Sequence, residues 1–256
     1  MSESFQTQAI HAGYDPLANG RASVPPIYAS AAFDLGDAAR GDALAGGDVD
    51  GFEYSRVANP TVDALERRLA ALEGGIGAVA VGSGMAAFIK RIRIKYLRTF
   101  GAVQSPFNAY LSLVGLETLP QRVSQQVTSA QCIAEHLTSA PHVTKVNYSG
   151  LGYTPQYELV GKYFPRGVGQ ILSFQVDGSA DNVRRIIDGT KLFSYVPNIG
   201  DARSLIVDPA HITHREVPAE ARIAAGVSDN LIRLSIGLED VNDLIADLDQ
   251  AIAAAY

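Results

Sequence analysis

From Gly101 to the end of the chain, segments with helical periodicity alternate with short apolar segments that are typical of strands. Ser105 followed by Pro106 fits the start of a helix, and the helical pattern continues to about Ser139 with an interruption near Pro120. Strands are predicted at 142–148, 170–176, 191–196, 203–208 and 230–236, and helices at 153–163, 179–188, 218–225 and 239–255. The alternation predicts an α/β domain of ordinary size.

A further helix is predicted between Asn59-Pro60 and Gly74-Gly75, since proline and glycine mark its two ends. Apolar residues recur there at helical spacing, namely Val62, Leu65, Leu69 and Leu72. After it we expect a short buried strand at 78–81, a glycine turn, and another helix that begins near Met85.

Residues 1–58 have no comparable pattern. They are rich in Gly, Ala, Asp and Pro, and the prolines of Val24-Pro25-Pro26-Ile27-Tyr28 favour an extended backbone. We therefore expect an arm here and not a packed unit.

Charge and hydropathy argue against several classes of protein. The net charge of −6 disfavours nucleic acid as a partner, because phosphate contacts need clustered cations. No apolar run approaches the roughly 18 residues that cross a bilayer, and the first residues do not resemble a signal peptide. With Cys132 as the single cysteine, we expect a cytoplasmic protein without disulfides or a membrane partner.

The distribution of charge changes abruptly after residue 87. Residues 1–87 hold 11 acidic residues, 5 arginines and no lysine, whereas 88–256 hold 16 acidic and 16 basic residues. The basic stretch that begins at Phe88 fits a solvated helix face better than a nucleic-acid patch. This change in composition predicts a domain boundary between residues 87 and 88.

Two segments could bind an anion. Ser83-Gly84-Met85 lies between the predicted strand and helix, where unpaired backbone N–H groups attract phosphate, although a tight turn without a ligand has the same sequence pattern. Tyr54 and Arg56 are two residues apart in an extended stretch and should point to the same side. That pair could hold a phosphate, and a surface salt bridge is the commoner use of such an arginine.

Arg233 lies in the apolar predicted strand at 230–236, so it needs an anionic partner. A ligand carboxylate would serve, and so would a structural partner such as Glu239 or Asp240. The residues alone leave these alternatives open.

Two other groups of polar residues have suggestive spacings, but we assign no function to either. Asp208, His211 and His214 have a metal-like spacing, but no further ligand is indicated, so we expect no metal site. Cys132 and His136 are four residues apart on a helix, and nothing orients them as nucleophile and base.

Together the motifs resemble the Cys/Met-metabolism family of pyridoxal-phosphate-dependent enzymes, most closely its O-acetylhomoserine sulfhydrylases. The resemblance covers nearly the whole chain. Its motifs are Gln6-Thr7-Gln8-Ala9-Ile10-His11-Ala12-Gly13-Tyr14, Val24-Pro25-Pro26-Ile27-Tyr28, Tyr54-Ser55-Arg56, Asn59-Pro60-Thr61, Ser83-Gly84-Met85, Gly115-Leu116-Glu117-Thr118-Leu119, Val146-Asn147-Tyr148, Asn198-Ile199-Gly200-Asp201-Ala202-Arg203-Ser204-Leu205 and Ile232-Arg233-Leu234-Ser235-Ile236-Gly237-Leu238-Glu239-Asp240.

The resemblance implies the aspartate aminotransferase-like fold (fold type I), a homo-oligomer in full-length members, and a small amino-acid substrate. The implied reaction is γ-replacement on O-acetyl-L-homoserine to give homocysteine or methionine. It assigns the pyridoxal-phosphate site to Tyr54, Arg56, Ser83, Gly84 and Met85. It assigns the substrate α-carboxylate to Arg233, with Ser204 lining that site.

One departure from the family is large. The phosphate turn is followed in the family by about a domain of chain that carries the Schiff-base lysine, whereas Met85-Ala86-Ala87 here runs directly into a segment that matches the C-terminal domain. The five lysines, Lys90, Lys95, Lys145, Lys162 and Lys191, each match positions of that C-terminal domain. We therefore expect residues 1–87 to be an arm with the truncated start of the cofactor domain, and 88–256 to be an intact α/β C-terminal domain.

The expected consequence is a chain without a catalytic residue for the family's chemistry, in which cofactor binding is doubtful and the strand at 78–81 is exposed. A second interpretation is a non-catalytic subunit that docks on a full-length relative and lends it Tyr54 and Arg56. A third is that the missing stretch reflects an error in the gene sequence, and that the protein is the complete enzyme.

Overall fold

The computed structural model describes residues 4–46, 48–81, 103–154 and 157–256. The chain forms two compact units that divide after Pro120. The predicted boundary between residues 87 and 88 falls outside the described residues and stays a prediction.

The first unit is helical in its described part. Its helices are α1 (Phe5–His11), a 3₁₀ turn (Leu17–Asn19), α2 (Ala38–Gly46), α3 (Pro60–Glu73) and α4 (Pro106–Glu117). Helices α1, α3 and α4 contact one another. Their small core consists of Val62, Ala64, Leu65, Ala109 and Leu113.

The expectation of an unpacked arm over 1–58 is wrong at its start. Ser4 caps α1 by accepting a hydrogen bond from the Thr7 N–H, and Ala9 is fully buried. The chain then passes very close to α3 at Gly13, where a Cβ atom would lie 2.7 Å from the Ala64 carbonyl oxygen and the φ angle is +78°. Only glycine allows this close packing, which stabilises a helix too short to form alone.

Helix α3 confirms the prediction for residues 59–75. The Asn59 side chain accepts a hydrogen bond from the Thr61 N–H, and Pro60 occupies the first turn, where its missing N–H costs nothing. Gly74 ends the helix with a φ angle of +63°, and its N–H bonds to the carbonyl groups of Ala70 and Ala71.

The predicted strand at 78–81 is wrong. Of these residues, only Val81 forms a bridge, an isolated one with Val103, and Val79 is 43% exposed. A strand needs hydrogen-bonded neighbours, and the described part of the first unit provides none for this segment beyond that bridge. The glycine turn and the second helix predicted near Met85 lie outside the described residues.

The second unit confirms the predicted α/β domain. Its helices are α5 (Leu119–Leu137), which begins two residues before the division, and α6 (Tyr157–Tyr163), α7 (Ala180–Gly189), α8 (Ala219–Ala224) and α9 (Val241–Ala254). Its strands are β1 (Val143–Asn147), β2 (Ile171–Val176), β3 (Ser194–Tyr195), β4 (Leu205–Val207) and β5 (Leu231–Ser235). The sheet has the order β1-β2-β5-β4-β3, and all neighbours are antiparallel except β3 and β4.

One face of this sheet carries the hydrophobic core. Phe174, Ile206, Ile232 and Leu234 have no exposed surface and pack in one cluster with residues of α5, α7 and α9. Because side chains alternate along a strand, the residues between them lie on the opposite face. That second face is more polar and holds the residues discussed below.

Within the described ranges, every helix is too short or too polar to cross a lipid bilayer.

Candidate carboxylate-binding site

A row of polar side chains crosses three strands on the sheet face opposite the core. Asn147 of β1 pairs with Ser173 of β2, and Ser173 pairs with Arg233 of β5. The Asn147 side-chain amide donates a hydrogen bond to the Ser173 hydroxyl, with 3.2 Å between nitrogen and oxygen. Strand register therefore aligns three polar groups that are far apart in the sequence.

This row lines a cavity of about 280 Å³. The segment 209–214 forms another part of its wall and contributes His214, while Ile171, Val227 and Leu231 make much of the remainder apolar. Among the residues that the structure describes, the lining contains one arginine and no acidic residue. A cavity with an apolar lining and a few convergent polar groups is the usual form of a small-molecule site.

Arg233 is the charged group of the cavity. One terminal nitrogen, Nη2, donates to the Asn198 carbonyl oxygen at 3.0 Å. The Nε atom is buried and, among the described residues, has no hydrogen-bond partner. Burial lowers the pKa of the guanidinium, which nevertheless remains charged because its ordinary pKa is so high. A buried N–H of a cation is costly unless an acceptor reaches it.

Neither structural partner suggested by the sequence pairs with Arg233. The Glu239 carboxylate accepts hydrogen bonds from the backbone N–H and the hydroxyl of Ser204, at 2.8 and 2.9 Å. The Asp240 carboxylate caps α9 by accepting from the Asn242 N–H at 2.8 Å. Both acids thus have other roles, and the arrangement favours the ligand alternative for Arg233.

Ser204 has a structural environment. It is fully buried, its hydroxyl donates to Glu239, and the same oxygen accepts from the Gly237 N–H at 2.8 Å. Its own carbonyl oxygen accepts from the Ser194 N–H at 2.9 Å. Ser204 is not among the residues that line the cavity, so its role in substrate binding stays a prediction.

The segment after β4 carries two further polar pairs. Asp208 is buried, and one carboxylate oxygen lies 3.1 Å from His211 Nδ1 while the other accepts from the Tyr195 hydroxyl at 3.4 Å. Burial first, and then Asp208, raises the pKa of Tyr195. The Thr213 hydroxyl lies 2.9 Å from His214 Nδ1. These contacts give Asp208 and His214 hydrogen-bonding partners within the fold, whereas His211 Nδ1 lies near Asp208 but has no hydrogen bond among the described residues.

Tyr54 and Arg56 lie together in the first unit, but not in the extended stretch that was expected, because residues 55–57 form a turn in which the Val57 N–H donates to the Tyr54 carbonyl oxygen at 2.8 Å. The guanidinium carbon of Arg56 is 4.4 Å from the centre of the Tyr54 ring. The backbone of this segment is fixed by a hydrogen bond from the Ser55 N–H to the Ala31 carbonyl oxygen at 2.9 Å. Ser83, Gly84 and Met85, the other expected phosphate ligands, lie outside the described residues, so the complete phosphate site stays a prediction.

The described lysines do not fit covalent attachment of pyridoxal phosphate at the Arg233 cavity. Lys145 is exposed on the same sheet face but pairs with Gln175, in a different row of the sheet from Arg233. Lys162 lies on α6 with its ammonium 5.0 Å from the Tyr163 ring, and Lys191 is exposed after α7. None of these three lines the cavity.

Three cavity residues, Asn147, Ser173 and His214, were not identified from the sequence. Asn147 and Ser173 are polar residues with the strand parity of the non-core face. That signal was available, but their proximity to Arg233 depends on the order in which the strands pair.

Comparison with known proteins first establishes the class of fold. The structure superposes with a TM-score of 0.87 on a putative O-acetylhomoserine (thiol)-lyase from Campylobacter jejuni, at 24% identity over 98% of this chain and 100% of that one. That protein was solved with N'-pyridoxyl-lysine-5'-monophosphate. This confirms the expected pyridoxal-phosphate enzyme fold.

The sequence then gives the family. The profile of the Cys/Met metabolism PLP-dependent enzymes matches residues 6–95 and 92–253. O-acetyl-L-homoserine sulfhydrylase of Leptospira meyeri is 41% identical over 167 residues, which are 65% of this chain and 38% of that protein. L-methionine gamma-lyase of Pseudomonas putida is 27% identical over 389 positions that cover 98% of both proteins. The chain belongs to the Cys/Met metabolism PLP-dependent enzyme family.

Matches at about 40% identity, including that of the Leptospira meyeri enzyme, span about two fifths of the relatives' length. The family's cofactor is pyridoxal phosphate.

Proposed function

We propose that the chain derives from an O-acetylhomoserine sulfhydrylase and retains the carboxylate-binding part of the active site without the lysine that attaches the cofactor. In the ancestral reaction, acetate leaves the γ-carbon of O-acetyl-L-homoserine, and sulfide or methanethiol takes its place. By this proposal the present chain does not catalyse that exchange by itself.

The observation that carries the proposal is the state of Arg233. Its buried Nε lacks a partner among the described residues, and the acids nearest in sequence are engaged elsewhere. A substrate carboxylate would supply the missing acceptor through charge-assisted hydrogen bonds. At the same time, no lysine of the described part of the chain lines the cavity that contains Arg233.

Two comparisons support the loss of an internal stretch. The alignment with the Pseudomonas putida lyase extends over 389 positions although this chain has 256 residues. The family profile matches in two separate segments that meet at residues 92–95. Both are expected if the chain joins the start of the cofactor domain to the C-terminal domain.

The test is reductive trapping. The purified chain is incubated with pyridoxal phosphate, treated with borohydride, digested and analysed by mass spectrometry, while homocysteine formation from O-acetyl-L-homoserine and sulfide is followed on the same sample. We expect no stoichiometric adduct at any one lysine and no homocysteine above a heat-treated control. A stoichiometric adduct together with turnover would overturn the proposal.

The Lys145→Arg variant is the matched control for this experiment. Lys145 is the lysine that shares the Arg233 face of the sheet in the described part of the second unit. Weak labelling that persists in the variant is surface modification of other lysines. Labelling and turnover that both disappear would identify Lys145 as a replacement for the lost lysine.

A second candidate is a non-catalytic subunit that lends Tyr54 and Arg56 to a full-length relative. The stacked geometry of this pair and the 38% exposure of Tyr54 favour it. Co-expression with a full-length sulfhydrylase tests it. We expect a mixed oligomer that loses cofactor affinity with Arg56→Ala, whereas a fragment that stays monomeric in the mixture would exclude this role.

A further inference from the structure

We propose that a cavity in the first unit binds a small quaternary ammonium group against the aromatic side chains of Tyr14, Tyr28 and Phe52, with Asp15 as its counter-charge. This inference is independent of the proposed function, which rests on Arg233 of the second unit. It gives the first unit a ligand of its own.

The cavity has a volume of about 220 Å³. Its wall combines the first two turns of α3 with the segments 13–19 and 25–28 and with Phe52. Prolines of these segments and of α3 add apolar surface. The volume is below the roughly 300 Å³ at which pockets for drug-sized ligands begin, so the cavity suits a small group.

Aromatic side chains form much of the lining, and hydrogen bonds hold the two tyrosines in place. The Tyr14 hydroxyl donates to the Ala22 carbonyl oxygen at 2.8 Å, and the Tyr28 hydroxyl donates to the Asn19 side-chain oxygen at 3.3 Å. Phe52 lines the same cavity. The faces of such rings carry partial negative charge and attract cations.

The charged side chains of the described lining favour a cation as well. Arg67 Nε lies 2.8 Å from an Asp63 carboxylate oxygen, and this pair is neutral as a whole. Asp15 therefore gives the lining its net negative charge. Burial, and then Tyr28 and Asp15, raise the pKa of Tyr14, so its phenol stays neutral at physiological pH.

The composition of the wall favours a methylated ammonium group over a primary one. A primary ammonium is strongly hydrated and loses hydrogen bonds to water when it is enclosed. A quaternary ammonium has no N–H to satisfy, and aromatic rings are its usual protein partners. Asp15 is exposed, so its carboxylate can balance the charge at the solvent-facing edge of the cavity.

The experiment is an NMR titration of the full chain with tetramethylammonium chloride, at an ionic strength held constant with sodium chloride. The neutral comparison is tert-butanol, which has nearly the same shape but no charge. We expect saturable binding with an upfield shift of the methyl resonance, caused by the aromatic rings, and binding of tert-butanol that is weaker by about tenfold or more. Choline and a short peptide that carries trimethyl-lysine then distinguish a free small molecule from a modified protein as the source of the group.

Two variants of Tyr14 isolate the contribution of its ring. Tyr14→Phe and Tyr14→Leu both lose the hydrogen bond to the Ala22 carbonyl oxygen, so any structural effect of that loss is common to both. Tyr14→Leu should bind tetramethylammonium about threefold more weakly than Tyr14→Phe, as the loss of one cation–π contact predicts.

Asp15→Asn tests the counter-charge. The wild-type carboxylate accepts a hydrogen bond from the Leu17 N–H at 2.9 Å, and an asparagine oxygen preserves that acceptor while removing the charge. We expect an affinity lower by about threefold or more. The matched control is Asp34→Asn, since Asp34 accepts from the Gly36 N–H at 2.9 Å in the same kind of turn but does not line the cavity; it should bind as the wild type does.

Three outcomes would overturn the inference. Equal affinity for tert-butanol would mean that the cavity is merely apolar, and equal losses in Asp15→Asn and Asp34→Asn would mean non-specific attraction to an acidic chain. The absence of saturable binding by the wild type would mean that there is no such site. None of these results bears on reductive trapping, so the proposed function is tested separately.

Discussion

Ser204→Ala should destabilise the second unit by about 2.5–6 kcal/mol. The hydroxyl is fully buried, donates to Glu239 at 2.9 Å and accepts from the Gly237 N–H at 2.8 Å. Its removal leaves the Gly237 N–H buried and unpaired, at a cost of about 1–3 kcal/mol. It also removes one hydrogen bond to a carboxylate, of about 1.5–3 kcal/mol, although Glu239 keeps the Ser204 N–H.

Water cannot easily replace the lost hydroxyl, because the chain is tightly packed here. A Cβ atom on Gly237 would lie 2.4 Å from a Glu239 carboxylate oxygen and 2.5 Å from the Ala202 carbonyl oxygen. A water molecule needs more space than this and two or more polar partners. The full penalty should therefore be retained.

Urea unfolding followed by far-UV circular dichroism measures this effect, and the absence of tryptophan rules out tryptophan fluorescence as the probe. The matched control is Ser139→Ala, since Ser139 is exposed and its hydroxyl bonds only to the local His136 carbonyl oxygen at 3.2 Å. The control should lie within about 0.5 kcal/mol of the wild type. A loss below about 1 kcal/mol for Ser204→Ala, with an unchanged urea dependence, would refute the structural role.

Two further predictions concern other side-chain hydrogen bonds that stabilise the fold. Asn59→Ala should destabilise the first unit by about 2–3 kcal/mol in the same assay. The buried Asn59 side chain accepts a hydrogen bond from the Thr61 N–H and donates one to the Tyr28 carbonyl oxygen, both at 2.9 Å. The control is Asn108→Ala, since Asn108 is exposed. Burial, and then a hydrogen bond to Asp177, raise the pKa of Tyr256 to about 12. The stabilisation that the protonated Tyr256 hydroxyl provides is therefore complete below pH 10 and is lost as the pH rises through about 12. The difference in Tm between the wild type and Tyr256→Phe should shrink over that range, and a constant difference would contradict the assignment.

The second unit was predictable because its elements follow local rules. Strand β2 alternates core residues such as Phe174 with outward residues such as Ser173, and α7 begins at Ser179 with a capping box. Helix α1 could not be predicted in the same way. It has seven residues and buries only Ala9, so its stability comes from contacts with α3 and α4 and not from its own sequence.

The segment 78–81 shows the converse error, since its sequence predicts a strand that the structure does not form. An apolar run such as Ala78-Val79-Ala80-Val81 has the composition of a buried strand, but it becomes one only when a neighbour supplies hydrogen bonds. Ala80 instead donates its N–H to the Glu66 side chain at 2.8 Å. Local composition could not predict this, because the outcome depends on the pairing partner.

For the candidate site, the sequence identified the charge but not its surroundings. Arg233 was recognisable as an arginine in an apolar strand, with a ligand and a structural acid as equal alternatives. Only the structure shows that Glu239 bonds to Ser204, and that Asn147 and Ser173 lie in the same row as Arg233. Strand order, which a single sequence does not specify, determines both facts.

Ser204 and Arg233, which the family resemblance assigns to one site, are connected through the sheet. Val207 of β4 pairs with Arg233 of β5, while Ser204, just before β4, bonds to Gly237 and Glu239, just after β5. Ser204 thus fixes the end of the strand that carries Arg233, together with the turn into α9. A change at Ser204 would reach the guanidinium through the backbone of β5. We therefore expect Ser204 to position the proposed carboxylate site through the backbone, since its hydroxyl is engaged within the fold.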